Sequence, residues 1–260
     1  MTPVDGADPI NLGLAGRVVL VTGGVRGVGA GISSVFAEQG ATVVTCARHS
    51  VEELPYEFHC CDIRDEEAVA RVIGEIAQHH GRLDVLVNNA GGSPYALAAE
   101  ATHTFHRKIV ELNLLGPLLL SQQANAVMQK QPHGGSIVNI SSVSGRRPSP
   151  GTAAYGAAKA GVENFTATLA VEWAPKVRVN ALAVGMVETE QSELFYGDAE
   201  SIAAVSATVP LGRLARPSEI GWAAAFLASD LASYISGATM AVHGGGEPPP
   251  YLAASSANKQ

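Results

Sequence analysis

The stretch Thr22-Gly23-Gly24-Val25-Arg26-Gly27-Val28-Gly29 follows the apolar segment Arg17–Val21 and leads into the amphipathic segment Val28–Gln39. Glycines allow the backbone to turn sharply and to approach a ligand closely. A helix that begins at such a turn presents free N–H groups and a partial positive charge, which bind phosphate. A turn without a ligand has the same composition, but a strand before it and a helix after it form the context of a dinucleotide site. We therefore predict a strand, a pyrophosphate-binding turn and a helix here.

Short β-branched segments alternate with longer amphipathic segments along the whole chain. The predicted strands are Arg17–Thr22, Ala41–Cys46, Tyr56–Asp62, Leu83–Asn88, Ser136–Ser141, Val177–Ala183 and Thr239–His243. The predicted helices are Val28–Gln39, Glu66–His80, Asn113–Lys130, Tyr155–Ala174 and Ser218–Leu227. Several strands are continuously apolar, which is typical of strands covered on both faces. We predict an α/β fold: a single-domain Rossmann fold with a doubly wound parallel sheet of about seven strands and helices on both faces.

The length of 260 residues favours one large domain. We assign residues 14–246 to the Rossmann-fold domain, 1–13 to an N-terminal extension and 247–260, with its three consecutive prolines, to a C-terminal tail. The tail is expected to be frayed or to lie on a neighbouring subunit. The segment 186–216, between the sixth strand and the next helix, is too long for a simple connection.

Composition excludes several classes of partner. The formal net charge of −7 gives no basic surface for nucleic acid. The apolar stretch Leu112–Leu120 is far shorter than the ~20 residues that cross a bilayer, so no membrane partner is expected. The first sixteen residues lack Lys and Arg, which argues against a secretory signal and for a cytoplasmic protein. Cys46, Cys60 and Cys61 lack the spacing of a metal or disulfide site and are expected to be buried thiols at strand ends, so no metal is predicted.

Tyr155 and Lys159 are four residues apart in a predicted helix and therefore lie on one face of it. A phenol normally titrates near ~10, and a nearby fixed cation favours the phenolate form that acid/base chemistry near neutral pH requires. The same spacing occurs on the solvated faces of ordinary helices. Here Ser142 precedes Tyr155 by thirteen residues and follows a predicted strand, where parallel sheets place their ligands.

These residues together resemble the short-chain dehydrogenase/reductase superfamily, in particular its 3-oxoacyl-reductase-like branch. The resemblance extends from about Leu14 to Gly246. Its motifs occur in the family's order: the Thr-Gly-x-x-x-Gly-x-Gly turn from Thr22, Asp62, Asn88-Asn89-Ala90-Gly91, Asn113, Ser142, Tyr155 with Lys159, and Asn180 with Gly185 and Thr189. The family's spacing selects Ser142 rather than Ser141, which is expected to satisfy local backbone groups.

The resemblance implies a reaction between a ketone and a secondary alcohol, with four catalytic residues. Tyr155 would be the acid/base, and Ser142 would orient the substrate oxygen. Lys159 would lower the pKa of Tyr155 and bind the nicotinamide ribose. Asn113 would hold a water that links Lys159 to solvent; its alternative is a residue at a helix kink that satisfies backbone groups.

The resemblance also implies the dinucleotide contacts. The residues concerned are Gly23, Val25, Arg26, Gly27, Val28, Gly29, Arg48, Asp62, Ile63, Asn89, Ala90, Gly91, Tyr155, Lys159, Val187 and Thr189. Asp62 would bind the adenine amino group, and Thr189 would contact the nicotinamide end. The alternative for Asp62 is a helix cap near Glu66.

The residues at the end of the second predicted strand favour NADP(H) as the cofactor. NAD(H) is kept as the alternative. An acidic residue there would bind a ribose 2′-hydroxyl and repel a 2′-phosphate, but this chain has Ala47, followed by Arg48. Arg26 supplies a second cation. The alternative is that both arginines only face solvent.

The substrate is predicted only as a small-molecule ketone or alcohol, largely apolar. In relatives, segment 186–216 is the substrate lid, and Leu194-Phe195-Tyr196 would form an apolar wall or pack elsewhere. Arg146 and Arg147 either face solvent or receive the phosphates of an acyl thioester. Val184-Gly185 replaces the family's Pro-Gly, which predicts a less rigid loop.

The resemblance implies a homotetramer, and the apolar stretch Met240–Gly246 is consistent with an interface. The alternatives are a non-catalytic NADP-binding regulatory protein and an NAD-dependent hydroxysteroid or hydroxyacyl-CoA dehydrogenase. A sugar-nucleotide epimerase is disfavoured because the chain leaves little room for a separate substrate domain.

Overall fold

The computed structural model describes residues 11–51 and 53–254 and contains one parallel sheet of seven strands. In chain order the strands are β1 (Val18–Thr22), β2 (Thr42–Ala47), β3 (Glu57–Cys60), β4 (Val85–Asn88), β5 (Gly135–Ser142), β6 (Val177–Val184) and β7 (Thr239–Val242). Their order across the sheet is β3-β2-β1-β4-β5-β6-β7. The predicted doubly wound parallel sheet is confirmed, and the strand ends differ from the prediction by a few residues at most.

Nine α-helices lie in the described part of the chain. They are α1 (Gly27–Glu38), α2 (Glu66–His80), α3 (His103–Val110), α4 (Gly116–Met128), α5 (Ala153–Glu172), α6 (Ser192–Tyr196), α7 (Ala199–Thr208), α8 (Pro217–Ala228) and α9 (Pro250–Ala254). A π-helical segment, Glu111–Leu115, joins α3 to α4. No helix in these described ranges is long and apolar enough to span a bilayer.

The helices cover both faces of the sheet. Successive residues of β1 point to opposite faces, so that Val18 and Leu20 join one core cluster while Val19 and Val21 join the other. Helices α2, α4 and α5 contribute to the first cluster, and α1 and α8 to the second. The continuously apolar strands identified in the sequence are therefore buried on both sides.

The order of the strands places a crevice at the middle of the sheet. From β1 the chain builds outward through β2 and β3, and then returns to the other side of β1 with β4. In such sheets the helices that follow β1 and β4 leave in opposite directions, and ligands bind at the carboxyl ends of these strands. The Gly-rich turn after β1 and the Asn-Asn-Ala-Gly stretch after β4 meet at this crevice.

The prediction that a helix begins at Asn113 was wrong. Asn113 lies inside the π-helical segment of a helical run that already begins at His103. Helix α3 was missed because Ile109 is its one buried residue, which leaves little apolar periodicity. Its start was nevertheless encoded, since the Thr102 side chain caps the Phe105 N–H.

Two further expectations concern residues outside the sheet. Cys46 and Cys61 are buried as predicted, but Cys60 is exposed, because successive residues at the end of the edge strand β3 face opposite sides. Leu12, within the predicted extension, is buried in the cluster formed with α1 and α8. Residues 1–10 of that extension and 255–260 of the tail lie outside the described residues.

Candidate active site

A cavity of about 520 Å³ lies at the carboxyl ends of the central strands. Its lining includes every residue predicted to contact the dinucleotide, from Gly23 to Thr189, and the predicted catalytic Ser142, Tyr155 and Lys159. Asn113 does not line the cavity. The sheet thus brings together residues that are more than 160 positions apart in the sequence.

The Gly-rich turn fits a pyrophosphate. Gly23 and Gly27 have φ of +63° and +51°, a region that favours glycine. A Cβ built on Gly29 would overlap the carbonyl oxygen of Gly23, so the turn also needs a glycine at this position. Arg26 is the N-cap of α1 and makes no side-chain cap, which leaves the first helical N–H groups beside the cavity. These donors and the helix dipole suit an anion.

The turn is fastened to the end of β4 by Asn89. Its side-chain amide donates to the carbonyl oxygens of Thr22 and Gly23, at 2.9 and 3.2 Å. The backbone N–H groups of Asn89 and Ala90 both donate to the Thr22 hydroxyl, at 3.0 Å. Asn89 therefore shapes the cavity through its side chain as well as lining it.

Asp62 lines the cavity and is paired with Arg64. Its Oδ1 accepts from the Arg64 Nε at 2.9 Å and from the Arg64 backbone N–H at 3.1 Å. The Arg64 guanidinium holds the pKa of Asp62 below its usual range. The alternative role of Asp62 as a helix cap was wrong, because Asp65 caps α2 by accepting from the N–H groups of Glu67 and Ala68.

Two exposed arginines also line the cavity. Arg26 precedes α1 and Arg48 follows β2, next to Ala47. Neither has an ion-pair partner within the described residues. No carboxylate of the described residues therefore competes with an anionic ligand for these two guanidinium groups.

The packing of α5 on β5 brings the catalytic candidates together. Ser142 is the last residue of β5, and Tyr155 and Lys159 lie in the first two turns of α5. The Lys159 Nζ lies 5.5 Å from the centre of the Tyr155 ring and donates to the carbonyl oxygen of Ile140 at 2.8 Å. The Ser141 hydroxyl also lines the cavity and is bonded to α5, at 3.2 Å from the Lys159 carbonyl oxygen and 2.9 Å from a Glu163 carboxylate oxygen, rather than to local backbone groups.

Burial governs the ionisation of the pair. It raises the pKa of Tyr155 above its ordinary value, against a smaller lowering by the Ser142 hydroxyl, and Tyr196 adds to the increase. Burial lowers the pKa of Lys159 from 10.5 to about 8. The expected lowering of the Tyr155 pKa by Lys159 is therefore not seen in the protein alone, where the pKa is raised.

The lowered pKa of Lys159 predicts a pH dependence of stability. The folded protein releases this proton near pH 8 and the unfolded chain near 10.5, so the unfolded chain binds more protons between these values. Stability from this group therefore rises with pH across that window. Lys159→Met lacks the titration, and its free energy of unfolding relative to wild type should fall by on the order of 3 kcal/mol between pH 7 and 10.5. Denaturant unfolding of both proteins measures this; a constant difference would contradict it.

Asn113 is fully buried and its side chain is bonded to backbone groups. Its amide donates to the carbonyl oxygens of Gly92 and Ile109, each at 2.9 Å, and its Oδ1 accepts from the Gly92 N–H at 2.8 Å. This is the alternative considered from the sequence, a polar residue at an irregular point of a helix. Both amide hydrogens of Asn113 are therefore used, and its Oδ1 keeps one acceptor position.

The segment 186–216 forms helices α6 and α7 beside the cavity. Phe195 and Tyr196 line the cavity and Leu194 does not, although both Leu194 and Phe195 are exposed. A Cβ on Gly185 would lie 2.8 Å from the Cα of His243, so the chain passes too close for another residue. Glycine is thus required at this crossing whatever residue precedes it.

Arg146 and Arg147 are both engaged with carboxylates. The Arg146 Nε donates to Glu163 at 2.8 Å, and the Arg147 guanidinium donates to Glu247 at 2.6 Å. Neither arginine lines the cavity. The second pair holds the start of the predicted tail against the domain.

Several lining residues were missed by the sequence analysis. They include Leu112, Ile140, Gln191 and Glu190. Ile140 contributes through its carbonyl oxygen, which any residue type would supply, so the sequence carries no signal for it. Gln191 follows Thr189 by two residues. Its position in the same loop as the predicted nicotinamide contact is a signal from which it could have been predicted.

Comparisons with known proteins agree with this geometry. A family profile described as enoyl-(acyl carrier protein) reductase matches residues 23–247. The 3-oxoacyl-[acyl-carrier-protein] reductase FabG of Thermotoga maritima is 36% identical over 244 residues, covering 89% of this chain and 98% of that protein. The cis-4-hydroxycyclohexanecarboxylate dehydrogenase of Sinomonas cyclohexanicum is 39% identical over 243 residues, covering 89% and 96%. The ligand-free aldohexose dehydrogenase of Thermoplasma acidophilum superimposes with a TM-score of 0.86 at 31% identity, covering 95% and 98% of the two chains.

Proposed function

Since this chain belongs to the short-chain dehydrogenase/reductase superfamily, whose members similar to it are oxidoreductases, we propose that it interconverts a ketone and a secondary alcohol with NADP(H). The observation that carries this proposal is a single cavity with a pyrophosphate-binding turn at one end and Ser142, Tyr155 and Lys159 at the other. When bound, the nicotinamide supplies or accepts the hydride.

The side chains around the substrate carbon have distinct tasks in this proposal. Tyr155 holds the proton that the carbonyl oxygen receives on reduction and takes it back on oxidation. Its raised pKa keeps the phenol protonated at neutral pH in the free protein, which suits the reducing direction. The Ser142 hydroxyl donates to the same oxygen and orients it.

Lys159 has two tasks at the other side of Tyr155. Its ammonium group is held by the Ile140 carbonyl, close to the Tyr155 ring, where it binds the nicotinamide ribose and favours the phenolate. Asn113 anchors Gly92, and with it the loop that passes next to the ammonium. We propose that Asn113 supports the proton path by fixing this loop beside the Lys159 ammonium.

The preference for NADP(H) is supported by the two arginines and the absence of an acid at the end of β2. Arg48→Ala should lower kcat/KM for NADPH at least about tenfold, because a charge-assisted hydrogen bond contributes roughly 1.5–3 kcal/mol. It should leave kcat/KM for NADH nearly unchanged, since NADH has no 2′-phosphate. Steady-state kinetics with both cofactors measure this.

Arg107→Ala is a matched control, because it removes an equal charge from α3 at a residue that does not line the cavity. A wild-type enzyme that clearly prefers NADH would overturn the proposed cofactor. An equal loss with both cofactors in Arg48→Ala would show that Arg48 does not bind the 2′-phosphate.

A largely apolar substrate is supported by the apolar and aromatic side chains in the cavity lining, among them Phe195, Tyr196 and Leu112. Arg146 and Arg147 are both paired with carboxylates, which removes the support for phosphate binding by these residues. An acyl thioester substrate is now supported by the similarity to acyl-carrier-protein reductases. A panel of cyclic ketones, aldoses and a 3-oxoacyl thioester, followed by NADPH oxidation, separates these classes. Tight NADPH binding without turnover would instead favour a regulatory protein.

The homotetramer and the cytoplasmic location stay predictions. Exposed large apolar side chains on α5 and α8, Val171 and Trp222, support a further contact surface on these helices. The strand β7 and the glycines that follow it lie at the open edge of the sheet, where the sequence suggested an interface.

A further inference from the structure

We propose that Glu57, His79 and His80 form a binding site for a divalent transition-metal ion such as Zn²⁺, separate from the dinucleotide cavity. One carboxylate oxygen of Glu57 and one ring nitrogen from each histidine lie within 4.8 Å of one another. No other group of three potential ligands is this close within the described ranges. The three residues are called the Glu57 cluster below.

The fold explains how distant residues meet in this cluster. Glu57 is the first residue of the edge strand β3, and His79 and His80 are the last two residues of α2. Helix α2 starts beyond the carboxyl end of β3 and returns antiparallel to it, so its last turn lies at the amino end of the strand. The cluster therefore lies at the amino ends of the strands, whereas the cavity lies at their carboxyl ends. None of the three residues lines the cavity.

The distances inside the cluster are close to those of a metal site. The His80 Nε2 lies 2.8 Å from the Glu57 Oε2. Two ligands of a tetrahedral Zn²⁺ with bonds of about 2.0–2.2 Å lie roughly 3.3 Å apart, so a shift of about half an ångström would admit the ion between them. His79 is exposed, and its ring lies edge-on to that of His80, with the ring centres 4.6 Å apart.

A second layer of side chains orients the carboxylate. The other oxygen of Glu57 lies 2.8 Å from the His59 Nε2, and the His59 Nδ1 lies 3.2 Å from a carboxylate oxygen of Glu75. Hydrogen-bonded partners of this kind fix the ligands of metal sites in proteins. The Glu75–His59–Glu57 chain thus holds one ligand in place before an ion arrives.

The electrostatic surroundings favour a cation, and the ligand types favour a particular class. The carbonyl end of α2 carries a partial negative charge at His80, and the chain as a whole has a formal charge of −7. Imidazole nitrogen with carboxylate oxygen suits Zn²⁺, Ni²⁺ and Cu²⁺, whereas Mg²⁺ and Ca²⁺ prefer oxygen ligands. Three protein ligands leave a fourth position for water. A bound ion would connect the end of α2 to the edge strand.

The test is a calorimetric titration of chelator-treated full-length protein with Zn²⁺ and, separately, Mg²⁺. It uses a Cys60→Ser background, because the exposed Cys60 thiol is itself a zinc ligand. We expect one equivalent of Zn²⁺ to bind and to raise Tm, and Mg²⁺ to do neither. His79→Ala should weaken Zn²⁺ binding at least about tenfold. Loss of a residue that only orients a ligand already lowers metal affinity by about tenfold or more, and loss of a ligand should have at least that effect.

His79→Ala is the informative variant because His79 is exposed and its side chain makes no hydrogen bond to the described residues, so its loss should not disturb folding. His80→Ala tests a second ligand, and His133→Ala removes an exposed histidine outside the cluster as the matched control. The absence of saturable binding near one equivalent would overturn the proposal, as would His79→Ala and His80→Ala binding as tightly as His133→Ala. In that case the cluster is a set of hydrogen bonds only.

Discussion

Tyr155→Phe is expected to lower kcat by between about 10² and 10⁴, the range that general acid/base catalysis contributes. The substitution removes one oxygen from a half-buried ring and leaves the packing of α5 and the Lys159–Ile140 hydrogen bond in place. Affinity for NADPH should therefore be retained. Stopped-flow or steady-state turnover, together with fluorescence titration of NADPH, measures both quantities on the same protein.

Two other tyrosines sharpen this experiment. Tyr234→Phe removes a phenol from a fully exposed position and should leave turnover unchanged. Tyr196→Phe removes the phenol that lines the cavity near Tyr155, and its effect should be much smaller than that of Tyr155→Phe. If Tyr155→Phe retained wild-type turnover, or if Tyr196→Phe alone abolished it, the assignment of the acid/base would be wrong.

Gly29→Ala is expected to abolish measurable NADPH binding and to lower stability. The added methyl group would overlap the Gly23 carbonyl oxygen and crowd the Asn89 amide, the two groups whose hydrogen bond fastens the turn to β4. The Gly23 carbonyl belongs to the backbone, and the Asn89 amide is held by its hydrogen bonds to the Thr22 and Gly23 carbonyls, so the turn itself has to move. Overpacking of this kind typically costs about 1–3 kcal/mol. The helical N–H groups would then no longer face the phosphates. NADPH titration and thermal unfolding measure the two effects.

Gly74→Ala provides the matched control in another helix. A Cβ at this exposed position of α2 would meet no atom within 4 Å. The substitution should raise the free energy of unfolding by about 0.5–1 kcal/mol, because alanine is the better helix former. Its NADPH affinity should equal that of wild type. Equal behaviour of the two variants would show that the Gly29 contact does not shape the site.

The residues that line the cavity could be predicted from the sequence because they belong to local patterns at the ends of strands. Each part can be identified from a few neighbouring residues. The parts are a glycine turn after β1, an Asn-Asn-Ala-Gly stretch at the end of β4 and a serine at the end of β5. Since parallel strands bring their carboxyl ends to one edge, knowing the strand order is enough to know that these parts meet. The predicted dinucleotide residues accordingly all line one cavity.

The predictions that were wrong, and the features that were missed, depend on contacts between distant residues that no local sequence pattern indicates. Cys60 is exposed because of its place at a sheet edge, and Asn113 lies within a helical run whose first part has a single buried residue. The engagement of Arg147 by Glu247 spans 100 positions. The Glu57 cluster spans 23 positions between Glu57 and His80 and depends on α2 ending opposite the start of β3.

The π-helical segment Glu111–Leu115 has a consequence for how this region tolerates change. A π turn holds one residue more than an α turn, so the segment acts as a single-residue insertion between α3 and α4. Deleting one residue there would restore a regular ladder but rotate α3 by about 100° relative to α4. The Asn113 amide could not then reach both Ile109 and Gly92, which it now joins. The two hydrogen bonds of this one buried side chain therefore fix the number of residues between α3 and α4.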